Sequence, residues 1–112
     1  MIIKANNNEY RVWWHHIPGP TGNITICMLS TNGKIDNENF LSSYSDVTMN
    51  KKLGRKSSFT RLVSIFDKLQ KDKAKDSPNY TYESKTTRIL FWKAYWDRFP
   101  EHKRPIQWRN QK

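Results

Sequence analysis

Two hydrophobic periodicities divide the chain. Tyr10, Val12 and Trp14 alternate with Glu9, Arg11, Trp13 and His15, the period-two pattern of a strand with one buried face. Met1–Ala5 precedes it as a second strand, across the turn-forming triplet Asn6-Asn7-Asn8. A loop is expected over Pro18-Gly19-Pro20-Thr21-Gly22-Asn23. It leads into the strand Ile24–Ser30, which Thr31-Asn32-Gly33-Lys34 closes. Phe40, Leu41, Tyr44, Val47 and Met49 are the apolar positions of a further strand within Asn39–Met49.

From Arg55 the spacing changes to three and four. Phe59, Leu62, Val63, Phe66 and Leu69 mark an amphipathic helix to about Asp72, with Lys56, Arg61, Ser64, Lys68 and Lys71 on its polar face. Lys71–Asn79 is charged, ends in Ser-Pro-Asn and reads as a solvated linker. A second helix is predicted to start near Ser84–Thr87 and to stop before Pro100. Its aromatic stripe is Ile89, Trp92, Tyr95, Trp96 and Phe99, with Arg88, Lys93, Asp97 and Arg98 around it. The expectation is an α+β fold: a three- to four-stranded antiparallel sheet in the N-terminal half packed against two C-terminal helices. Residues 1–112 then form a single domain, with a sheet region 1–50, a helical region 51–99 and a basic tail 100–112 that Ile106 and Trp108 would dock onto the body.

Composition narrows the class. Only 36% of the 112 residues are hydrophobic, but five Trp, five Tyr and five Phe build a core from few side chains. The one cysteine, Cys27, allows no internal disulfide and fits a reducing cytoplasm. No apolar run is long enough for a membrane span or a secretory signal, so no membrane partner is expected.

Charge changes the picture most. The net +10 is concentrated in the second half: residues 1–50 carry three basic against four acidic groups, and residues 51–75 carry nine against two. Residues 85–112 add eight basic and two acidic groups. Such segregation points to an acidic partner: nucleic acid, a nucleotide or an acidic protein face. A merely solvated basic surface gives the same pattern.

Lys51-Lys52-Leu53-Gly54-Arg55-Lys56-Ser57-Ser58 is the strongest local signal. Gly54 would permit a tight turn, after which a helix opens with free N–H groups that favour an anion. Four cations at that end oppose the helix dipole unless an anion arrives. The order of strands followed by a lysine-led helix is also that of the second half of double-stranded-RNA-binding domains, whose N-terminal helix is missing here. Among the aromatics, Trp13 and Trp108 are the candidates for a surface role, stacking on a base. His15, His16, Cys27 and His102 lack the paired spacing of a zinc site, and the adjacent histidines project to opposite faces of a strand. No cofactor or metal is expected. Cys27, mid-strand in an apolar run, reads as buried and inert. A nuclease pairing His15 or His16 with Glu9, Asp36 or Asp46 is the one enzymatic alternative, and no spacing selects among those carboxylates.

Several of these elements occur together: Tyr10-Arg11-Val12-x-Trp14, a Thr25-x-Cys27 strand, Lys51-Lys52-x-Gly54-Arg55-Lys56 and Arg88-x-x-Phe91-Trp92-x-x-Tyr95. In this the chain resembles, over residues 9–98, a widespread class of small accessory proteins of tailed bacteriophages. It departs from them at Ser57-Ser58-Phe59-Thr60, where an Ala-rich helix is usual. The resemblance implies a non-enzymatic protein in the cytoplasm of a bacterial host. Such a protein would bind and neutralise host machinery, as an anti-CRISPR does, or act against nucleotide signalling. The contacts expected are Lys51, Lys52, Arg55, Lys56 and Arg61, extended by Lys93 and Arg98 if the helices pack side by side. Direct binding of double- or single-stranded nucleic acid is the alternative.

Overall fold

The structure, a computed structural model, describes residues 1–100. The expected docking of Ile106 and Trp108, and His102, lie outside the described residues. Strands β1 (Ile2–Ala5), β2 (Asn8–Gly19), β3 (Gly22–Thr31) and β4 (Phe40–Tyr44) form one antiparallel sheet whose order is the chain order. Helices α1 (Lys51–Asp76) and α2 (Ser84–Arg98) follow. This is the expected α+β arrangement.

Turn chemistry sets the register. Asn6 and Asn7 adopt φ of 53° and 61°, the left-handed pair that a two-residue hairpin loop requires and that Asn tolerates. Ala5 then pairs with Asn8, Ile3 with Tyr10, Val12 with Leu29 and Trp14 with Cys27. Ile3, Tyr10, Val12, Cys27 and Leu29 therefore share one face, and all are buried. Both helices cover that face, α1 over β3 and β4 and α2 over β1. Tyr10 meets Phe66 of α1 at 5.0 Å and Phe91 of α2 at 5.6 Å between ring centroids. The helices run antiparallel, so Phe59 stacks on Tyr95 at 4.8 Å while Phe66 meets Phe91 at 5.0 Å.

Several expectations are corrected. The hairpin joining β2 and β3 is tighter than the six-residue loop expected over 18–23: the strands run to Gly19 and from Gly22, leaving Pro20-Thr21 as the turn. β4 ends at Tyr44, and Val47 and Met49 are exposed. The supposed linker from Lys71 is helical to Asp76, held by the Tyr80 hydroxyl donating to Gln70 and by the Lys73 ammonium 5.1 Å from the Tyr80 ring. Lys73 and Lys75 in its last turn also suit the negative end of the dipole. In the α1 stripe Leu69 is exposed; in α2, Phe91 is a core residue the expected stripe left out.

Gly54 sits inside α1, not in a turn before it. Its missing side chain lets the helix approach β3: a Cβ there would lie 3.1 Å from Thr25 Cβ and overlap Thr25 Oγ1. Thr25 is fully buried and β-branched, so it cannot move aside. At the far end of the core, Asp67 accepts hydrogen bonds from the hydroxyls of Tyr82 and Ser84, each 2.6 Å away, and pairs with Lys71 at 3.1 Å. Burial alone would raise the Asp67 pKa. The Ser84 and Tyr82 hydroxyls and the Lys71 ammonium outweigh it and hold the carboxyl below its ordinary value.

Gly54→Ala is expected to lower stability by about 1–3 kcal/mol, because overpacking against Thr25 exceeds the roughly 1 kcal/mol that Ala contributes to a helix interior. Chemical denaturation measures it, and a gain in stability would show that the helix shifts freely. Because the folded Asp67 pKa is depressed, its contribution is present above the ordinary carboxylate pKa of about 3.9 and is lost as pH falls through the folded-state value. Asp67→Asn is expected to cost about 1–3 kcal/mol at neutral pH and less in acid. A cost that stays the same from pH 7 to pH 2 would contradict this role.

Candidate functional site

The helical layer collects the positive charge. Nine of the residues of α1 are Lys or Arg and three are Asp; α2 adds four basic residues and one Asp. Because their apolar stripes face the sheet, these cations stand on the outer surface, except Arg55, which is half-buried. The expected binding residues do not form one patch there.

Lys51 and Lys52 occupy the first turn of α1 and are exposed. The anion cradle expected at that terminus is closed. The side chain of Asn50 caps the helix, accepting from the N–H groups of Lys52 at 2.9 Å and Leu53 at 3.4 Å, and the Gly54 N–H donates to the Asn50 carbonyl. The cap was legible as an Asn directly before the lysines. Lys56 leans over the Trp96 ring of α2, 5.5 Å from its centroid. Arg61 is turned towards β4, where it donates to the Tyr44 carbonyl at 2.6 Å and pairs with the exposed Asp46 at 3.1 Å. Lys93 is exposed on α2.

Trp13 belongs to the opposite side of the molecule. Its register partner is Met28, and its ring lies 6.2 Å from Phe40 on the sheet face that the helices leave open. Ile17 and Tyr44 are exposed on the same face. The Trp13 ring therefore faces away from the groove between the basic helices, although Trp13 also lines the edge of the cleft that holds Arg55 and Arg98.

Concave regions on the helix side bring some of these residues together, among them a shallow depression that Leu53, Lys56, Ser57, Thr60 and Arg61 line. A groove of about 340 Å3 between α1 and α2 is lined by Thr60, Ser64, Asp67, Lys68, Lys71, Arg88 and Trp92, among others. A neighbouring depression shares Lys68 and Lys71 and adds Lys75 and Tyr82. Sequence reasoning placed Lys68 and Lys71 on the polar side of α1, but which part of that side adjoins α2 depends on the helix crossing. A cleft lies at the other end of the helix pair, where the antiparallel packing sets Arg55 at the start of α1 beside Arg98 at the end of α2.

Among the described residues, His15, His16 and Cys27 form no catalytic cluster. His15 and His16 lie on opposite faces of β2, since neighbouring strand residues alternate. His16 Nδ1 is 2.8 Å from Thr25 Oγ1, and burial, then the charges of Lys51 and Arg55 and of His15, hold its pKa below the ordinary value. Burial pushes the Cys27 thiol far up, which leaves it protonated and unreactive. Among the described residues no three His, Cys, Asp or Glu come together as a metal set, and no helix is long and apolar enough to cross a membrane. No protein-family model, no curated protein and no solved structure matches this chain, so its function rests on the chemistry of its own surface.

Proposed function

We propose that this chain is a non-enzymatic binding protein that engages a negatively charged partner through the groove between its helices. The observation that carries the reading is the imbalance of that groove. Lys68, Lys71 and Arg88 converge on it, while its one carboxylate, Asp67, is already engaged by Tyr82, Ser84 and Lys71. An elongated row of cations with few counter-charges follows a polyanion and releases its condensed counterions on contact. Lys51, Lys52, Lys56 and Lys93 are exposed elsewhere on the same helical layer. In the setting that the resemblance to phage accessory proteins implies, the protein acts stoichiometrically in the host cytoplasm. It occupies the nucleic acid, the nucleotide or the acidic face of a bacterial defence effector, whether CRISPR–Cas or nucleotide signalling, and so blocks it.

Direct binding of single-stranded nucleic acid is the second reading, favoured by the open sheet face. There Trp13, Phe40 and Tyr44 present aromatic surface on the side of the sheet that also carries Lys4 and Arg11. Bases stack on such a platform with little dependence on sequence.

Titration against labelled duplexes and single strands at two salt concentrations tests both. The groove reading expects an affinity that falls log-linearly with salt, and a slope that drops by about two in Lys68→Glu/Arg88→Glu. An unchanged slope in that folded variant, together with lost binding in Trp13→Ala, would transfer the interface to the sheet. Absence of binding to any nucleic acid leaves an acidic protein face as the target, which capture of the effector by wild type but not by the double variant identifies.

A further inference from the structure

The cleft at the start of α1 collects hydrogen-bond donors and, among the described residues, no carboxylate. It encloses about 270 Å3 between β2, α1 and the end of α2, and its lining includes Trp14, His16, Arg55, Arg98 and Phe99. Two guanidinium groups that are distant in sequence flank one ring there. The Arg55 and Arg98 Cζ atoms stand 4.5 Å and 5.1 Å from the Phe99 centroid. Cation–π contact offsets part of their mutual repulsion. Among the described residues neither arginine is in an ion pair and no acidic side chain lines the cleft.

Two further observations point to a missing acceptor. Arg55 Nε and Trp14 Nε1 are both buried N–H groups with no hydrogen-bond partner. Each such group costs about 1–3 kcal/mol, and native structures retain few without a reason. Arg and Trp side chains only donate, and a neutral imidazole still offers one N–H. A lining of this kind is complementary to a ligand that only accepts and carries more than one negative charge. A phosphate monoester has both properties, and planar guanidinium groups match its oxygens two at a time. Carboxylates carry a single charge and leave the second arginine uncompensated.

We propose that this cleft is a phosphate-binding site, distinct from the groove between the helices, that takes a phosphate monoester on Arg55, Arg98 and His16. The orphaned donors of Arg55 and Trp14 are satisfied as the cleft adjusts around the ligand. The monoester belongs either to a free nucleotide or to the phosphorylated 5′ end of a strand; the dianion is the same in both. Arg55 thereby has a role that the run of cations in 51–56 does not give its neighbours: it is the member of the run that lines the cleft.

The test is a set of 1H–15N spectra of the whole chain labelled at its tryptophan indoles, with the Trp14 signal assigned through Trp14→Phe. Sodium phosphate, AMP and sodium chloride at matched ionic strength are the probes. A saturable shift of the Trp14 Nε1–H signal with phosphate or AMP, and none with chloride, is the expected result. Arg98 is exposed at the end of its helix, so Arg98→Gln should fold normally and weaken the binding by about tenfold or more, the value of one charge-assisted hydrogen bond. The Lys68→Glu/Arg88→Glu protein should bind phosphate as wild type does, so failure of this site and failure of the groove are separately visible. In that same protein, a 5′-phosphorylated oligonucleotide that shifts the signal where its 5′-hydroxyl form does not assigns the strand end. AMP acting alone assigns the free nucleotide. A Trp14 signal that ignores phosphate and AMP, or an Arg98→Gln affinity equal to wild type, overturns the proposal.

Discussion

The contact between Phe59 and Tyr95 is the one on which the rest of the molecule depends. Their rings stack at 4.8 Å, and around them Phe59 also meets Phe91, Trp92 and Trp14, while Tyr95 meets Trp14, Trp96 and Phe99. A chain with so few aliphatic residues has no surplus core to replace this seam. It fixes the crossing of α1 over α2, and through Trp14 it fixes both helices to the sheet. Each aromatic removes a large area from water, so a few rings supply what many Leu and Val supply elsewhere.

That seam also decides where charge goes. Once the apolar stripes of both helices are committed to the sheet, their lysines and arginines have only the outer surface left. They crowd there at the cost of mutual repulsion, which a polyanion relieves. The sheet contributes the opposite character on its free side, a surface of Trp13, Met28, Phe40 and Tyr44 with few charges. The protein is two-faced as a result of its layering, and the faces suit different chemistry.

The alternation of Tyr10, Val12 and Trp14 was legible because one buried face imposes a period of two, and Phe59 to Phe66 was legible because one buried stripe imposes a period near four. Where burial stops, the sequence loses its signal. The last turns of α1, Lys71-Asp72-Lys73-Ala74-Lys75-Asp76, have no apolar face and read as a linker. Their helicity depends on propagation from the core and on Tyr80, which returns from the next segment. Gly54 read as a turn because glycine usually marks one; its reason lies across the interface at Thr25, which no local pattern reveals. Of the expected binding residues, the sequence could name the cations but not sort them. Arg61 turns to Asp46, Arg55 and Arg98 meet across the helix pair, and Trp13 faces away, because each direction follows from tertiary packing.

Strand order that equals chain order has a kinetic meaning. Each of the first three strands closes onto the next through a connection of at most eight residues, and α2 returns onto α1 across seven, so most native pairings form with little loop-closure entropy. Local pairings of this kind favour fast folding. The docking of α2 joins the two ends of the fold, through Thr87 donating to Asn6 at 3.3 Å across 81 positions and through the rings of Tyr10 and Trp14 against Phe91, Tyr95 and Phe99. The docking of α2 therefore both seals the sheet and completes the aromatic seam.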